Sequence, residues 1–166
     1  MADIAEWQDL RIAGSEGKRA KGRAKGPPIV QARKLHRVRR MDKTAEALKV
    51  RTKRFAIAVL DFVDTLPRTP SGDAIARQLA RSGLGVAGNY RGSCRARSHA
   101  EFTARLGVVL EEADESQLWL EVCNDRKMGD ATQRPSLIDE SGQLCAIFSK
   151  GCTTARIREY GKRDRP

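Results

Sequence analysis

Aromatic side chains are scarce, 5% of 166 residues, so a core here must be assembled mainly from Leu, Val, Ile and Ala. That palette suits helices packed on helices. Histidine is scarcer still, with only His36 and His99 in the chain. The four cysteines, Cys94, Cys123, Cys145 and Cys152, stand 29, 22 and 7 positions apart and form no CxxC pair. This spacing argues against a zinc site, and the cysteines read as free, buried thiols in a reducing compartment. No run of about 18 apolar residues offers a membrane span. At the amino terminus Asp3, Glu6 and Asp9 stand where a secretory signal would be basic and then apolar. The expectation is a soluble, cytoplasmic protein that holds no metal and no cofactor.

What the chain has in excess is positive charge, +11 overall. Its placement matters more than its size. Residues 1–40 hold eleven Lys/Arg against four acids, whereas residues 45–160 hold seventeen against fifteen. Between Lys18 and Arg40 there is no acid, and Gly22, Gly26, Pro27 and Pro28 interrupt the tract. Too little apolar surface is present there to offset the entropy of ordering. Residues 1–43 are therefore expected to be a basic tail outside the fold, and residues 161–166 a second, short basic tail. Met41 offers an alternative start, which would make residues 1–40 an upstream extension.

Between the tails, apolar residues recur at threes and fours. Leu48, Phe55, Val59, Phe62 and Leu66 mark a first helix over residues 44–66, stopped by Pro67 and Pro70. Ser71 or Asp73 is placed to cap a second helix carrying Ile75, Leu79, Ser82, Val86, Asn89 and Tyr90 on one side. Ser98 and Glu101 form a capping box before a third helix that runs through Phe102, Leu106, Val109, Ala113 and Leu120 to about residue 124. His99, in its first turn, is expected to be exposed. Pro135 and Ser136 open a fourth helix with Leu137, Leu144, Ile147, Phe148 and Ala155. Short connections favour antiparallel neighbours, so residues 44–160 predict an all-α, up-down-up-down antiparallel four-helix bundle.

Two motifs lose their usual meaning in that frame. Gly83, Gly85 and Gly88 match GxGxxG, but a dinucleotide site needs a strand before the glycines, and these lie inside a helix. Close approach of another backbone is the expected reason for them. Glu111, Glu112, Asp114 and Glu115 cluster on the third helix, yet no Glu-x-x-His exists to complete a di-iron site. Ion pairing with the second helix or with another subunit is the simpler account.

At about 100° per residue, Arg77, Arg81, Arg91 and Arg95 fall within roughly an 80° arc of the second helix, opposite its apolar side. Such a ladder reads as a solvated face or as a row of phosphate contacts. Leu84 and Gly88 lie in the middle of the arc, which favours a subunit contact there. Trp119, between Leu118 and Leu120, exceeds what one apolar stripe needs and is assigned to the same kind of contact.

Gln78-Leu79-Ala80-Arg81, Asn89-Tyr90-Arg91-Gly92 and Ser98-His99-Ala100-Glu101-Phe102 occur in that order, followed by the stretch from Glu111 to Glu121 and by Ala146-Ile147-Phe148 with Thr154-Ala155-Arg156. In this order and spacing the chain resembles the four-helix-bundle proteins encoded in intervening sequences of bacterial large-subunit ribosomal RNA genes. The likeness covers residues 48–158. It implies a ring-like homopentamer without an agreed biochemical activity. A related accessory subunit of diversity-generating retroelements binds nucleic acid and a reverse transcriptase. Members often carry Pro-Ser-Asn-Ile-Ala-Glu-Gly in the second helix. Here that segment is Ala87-Gly88-Asn89-Tyr90-Arg91-Gly92, so the acid is replaced by Arg91 and its role does not carry over.

The expected function is that of a non-enzymatic homo-oligomer binding RNA or DNA through phosphate contacts. The candidates are Arg33, Lys34, Arg37, Arg39 and Arg40 in the tail, or Arg77, Arg81, Arg91 and Arg95 on the second helix. The competing expectation is a protein-binding scaffold with no nucleic-acid role.

Overall fold

A computed structural model describes the backbone of residues 29–163 and the side chains of residues 44–157. Four helices follow one another: α1 (Ile29–Val63), α2 (Pro70–Ser93), α3 (His99–Asp125) and α4 (Arg134–Arg163). Among the described residues there is no strand. No described helix is long and apolar enough to cross a membrane.

The first helix begins earlier than the charge pattern suggested. Residues 29–43, assigned above to the tail, are helical, and α1 is 35 residues long. No Gly or Pro falls between Ile29 and Val63. Arg, Lys, Leu, Ala and Met are good helix formers, and a helix already nucleated by a packed half extends at little cost. Likewise α4 continues through Gly161 to Arg163. Residues 1–28 and 164–166, the rest of the expected tails, lie outside the described residues.

Helix starts are set by local chemistry. α2 is capped by Thr69 rather than Ser71 or Asp73: the Thr69 hydroxyl accepts from the Gly72 amide at 3.1 Å, and Pro70 occupies the first turn. Gly72 is required there because any side chain would run into the Pro67 carbonyl. α3 is capped as expected, with Ser98 Oγ accepting from the Glu101 amide at 3.1 Å. Glu101 returns its carboxylate to the Arg97 amide at 2.8 Å. The α3–α4 turn places Lys127 and Gly129 at positive φ, 52° and 71°. A side chain on Gly129 would strike the Phe62 ring.

One face of each helix closes on a common core. Val59, Phe62, Leu79, Val86, Leu106, Val109, Leu120, Leu144 and Phe148 are fully buried. Tyr90 and Phe148 meet across the bundle with ring centroids 5.5 Å apart. Arg81–Glu115, Ser82–Ser116 and Gly85–Glu112 are successive cross-pairs, which sets α2 and α3 antiparallel. α1 meets α2 where Gly83 admits the Val59 side chain. His99 is only half-exposed, because its Nε2 donates to the Ala155 carbonyl at 2.9 Å and ties the start of α3 to α4.

α1 and α4 approach each other least of the neighbouring helices. An open groove remains between them, lined by Ala47, Val50, Arg54, Ala58 and Leu137, and bridged by Arg51. The Arg51 guanidinium holds both oxygens of Glu140, at 2.7 and 2.8 Å.

Candidate interaction faces on α2 and α3

The outward arc of α2 is solvent-facing as built. Arg77, Arg81, Arg91 and Arg95 are exposed, and Leu84 between them is 50% exposed. Arg77 and Arg91 form no ion pair among the described residues. Arg81 does: its Nη2 donates to both Glu115 oxygens at 3.0 and 3.1 Å. Arg95 lies in the turn after α2, with Nε on the Arg91 carbonyl at 3.4 Å. The four arginines thus share one side of the molecule, and one of them is already neutralised by α3.

Trp119 does not join this face. It is partly buried against the core, and its indole N–H donates to Glu115 Oε1 at 3.3 Å. Leu118 takes the outward place instead, 51% exposed. A run of three apolar residues allows either to face the core, and the sequence pattern alone did not separate them.

Beyond Gly72 in the first turn, the glycines of α2 have three different occupants and one vacancy. A side chain at Gly83 would meet Val59, one at Gly85 would meet the Glu112 carboxylate at 2.5 Å, and one at Gly92 would meet Arg105 at 3.1 Å. Among the described residues nothing lies within 4 Å of the same position at Gly88. A glycine inside a helix costs about 1 kcal/mol relative to alanine. At Gly83 and Gly85 packing explains it, and at Gly88 nothing among the described residues does.

Glu112, over Gly85, is the unusual acid of the cluster. Its Oε2 is buried and accepts no hydrogen bond among the described residues. Burial pushes its carboxyl above the usual carboxylate range, while nearby Arg81 pulls the other way. No group of three or more His, Cys, Asp or Glu that could hold a metal occurs among the described residues. Three of the thiols are not activated: burial raises Cys123 and Cys152 and pushes Cys145 up to about 11. Thiols held protonated in this way are poor nucleophiles.

Arg33, Lys34, Arg37, Arg39 and Arg40 fall on the first half of α1. Their side chains lie outside the described residues. By helical register Arg33, Arg37 and Arg40 share a side with Arg51 and Arg54, further along α1. That continuity was hidden in the sequence reading, because the tail was not expected to be helical.

These features define an all-α bundle with a basic face on α2 and an acidic one beside it on α3. Neither a protein-family model nor a curated protein matches the chain. A solved structure does: a protein of unknown function from the S23 ribosomal protein family, from Bacteroides thetaiotaomicron. It is 24% identical and superposes with a TM-score of 0.58, covering 63% of this chain and 96% of that one. At that identity the likeness concerns the fold.

Proposed function

We propose that this chain is a non-enzymatic, homo-oligomeric, cytoplasmic bundle protein that binds RNA or DNA through phosphate contacts. We place it with the bundle proteins of ribosomal RNA intervening sequences, whose pentameric ring is the expected assembly. One observation carries the reading: α1 runs without a break from Ile29 into the packed core. Five basic residues between Arg33 and Arg40 therefore ride on a helix anchored by Phe55, Val59 and Phe62. Ordered charges need less entropy to engage a phosphate backbone than charges on a free chain. A ring of several copies would add their contacts. The upward shift of the Cys123, Cys145 and Cys152 thiols and the packing of Tyr90 against Phe148 support a role without catalysis.

The test is fluorescence anisotropy of labelled RNA and DNA with the full chain, from about 50 mM salt upward. Binding should weaken linearly in log salt. Changing Arg33, Arg37 and Arg40 to Gln should lower that slope by about 2 to 3. Absence of salt-dependent binding to either polymer would overturn the reading. The groove between α1 and α4, beside exposed Val50 and Ile57, favours a second reading, a protein-binding scaffold. In that case the assembly persists but retains no nucleic acid.

A further inference from the structure

The outer faces of α2 and α3 carry opposite charges at the same spacing. On α2, Arg81, Leu84, Gly88 and Arg91 recur at three, four and three, with Arg95 four further on in the adjoining turn. On α3, Glu111, Glu115, Leu118, Val122 and Asp125 recur at four, three, four and three. Each series forms a stripe along one side of its helix. Each has an exposed leucine: Leu84 at 50% and Leu118 at 51%. Glu111, Asp125 and Arg91 form no ion pair among the described residues. Gly88 faces open space, although every other α2 glycine abuts a group of its own chain.

We propose that α2 of one copy seats antiparallel on α3 of a second copy. Run in opposite directions, the two series match position by position. Arg81 meets Asp125, Leu84 meets Val122, Gly88 meets Leu118, Arg91 meets Glu115 and Arg95 meets Glu111. Leu118 then fills the space over Gly88, where a missing side chain lets two helices approach closely. Glu115 keeps Arg81 of its own chain and accepts Arg91 from the neighbour.

Charge decides which faces pair. α2 against α2 would set arginines on arginines, and α3 against α3 would set acids on acids, both disfavoured. The contact therefore joins unlike faces. Each copy offers one of each, so the contact repeats from copy to copy into a ring or an open chain. The inference rests on the homo-oligomer reading above and adds the two faces, their polarity and their register. It also commits the α2 arginines to protein, leaving α1 for phosphate.

The test compares the masses of the full-length wild type, Gly88→Leu, Arg95→Glu, Glu111→Arg and the Arg95→Glu/Glu111→Arg double variant. Sedimentation across a dilution series reads assembly, and circular dichroism reads helix content. The wild type should exceed the 18.4 kDa of one chain several-fold. Gly88→Leu should stay helical, since nothing among the described residues obstructs it, while its dissociation constant rises about tenfold or more. Each charge reversal should weaken assembly several-fold, and the double variant should recover to within about twofold of wild type. A wild type that stays a monomer at micromolar concentration overturns the oligomer reading and this inference with it. An oligomeric wild type unmoved by Gly88→Leu and by both reversals overturns this inference alone. So does a double variant no better than its parents.

Discussion

The carboxylate of Glu112 occupies the space that a side chain on Gly85 would need, 2.5 Å from where its Cβ would lie. The pair is a notch in α2 filled from α3. It accounts for a glycine that composition alone marks as a weak point in a helix. It also accounts for an acid whose buried Oε2 has no partner among the described residues.

Gly85→Ala and Gly88→Ala should therefore move stability in opposite directions. At Gly85 the added methyl group displaces a packed carboxylate, and overpacking of this kind costs about 1–3 kcal/mol. At Gly88 the methyl group meets nothing, and the helix gains up to about 1 kcal/mol. Urea unfolding at a dilution where subunit contacts are lost separates the two. Equal effects would remove the notch as an explanation.

Glu112 should make stability depend on pH. Burial holds its folded-state pKa above the unfolded value, so the folded chain binds this proton more tightly. Its favourable contribution is fully present below the unfolded value, about 4.3, and is lost as pH rises through the folded value. Glu112→Gln keeps the shape without the charge. It should gain stability over wild type as pH rises from about 4, then hold that gain. Glu101 and Asp130, both lowered, act in the opposite sense, so the difference between variant and wild type is the quantity to follow.

Arg134 holds the α3–α4 turn from inside. It is 9% exposed, and its Nη1 donates to the Met128 carbonyl at 2.8 Å. A hydrogen bond from a charged donor contributes about 1.5–3 kcal/mol. The unpartnered Nε offsets part of that. Arg134→Ala should cost about 1–3 kcal/mol by thermal or urea unfolding, and Arg134→Lys less, because one donor survives. Amide exchange should quicken first around Met128 and Gly129.

The Ser82–Ser116 bond, 3.0 Å long in the α2–α3 seam, should couple weakly. Ser82 Oγ accepts from Ser116 Oγ and donates its own proton to the Leu79 carbonyl, while the single Ser116 proton is shared between Ser82 and the Glu112 carbonyl. Each hydroxyl keeps a backbone partner when the other is removed. A double-mutant cycle to alanine should give an interaction of about 0.5–1 kcal/mol. A much larger value would mean that the seam depends on the serine pair itself.

The sequence by itself determined the helices and most of their ends, because capping and apolar periodicity act within a few residues. Ser98 with Glu101, Pro67 before α2 and the stripe from Phe102 to Cys123 are of this kind. It determined less well where α1 begins, because the fifteen residues 29–43, six of them Lys or Arg, resemble a tail until a packed helix behind them makes continuation cheap. Tertiary structure alone decided that Leu118 faces outward and Trp119 inward, and that His99 reaches the Ala155 carbonyl. It decided too that Gly85 serves Glu112 while Gly88 meets nothing among the described residues. These outcomes depend on how far each helix is rotated and how closely its neighbour approaches. Both are set by contacts between residues tens of positions apart, which periodicity along one helix does not encode.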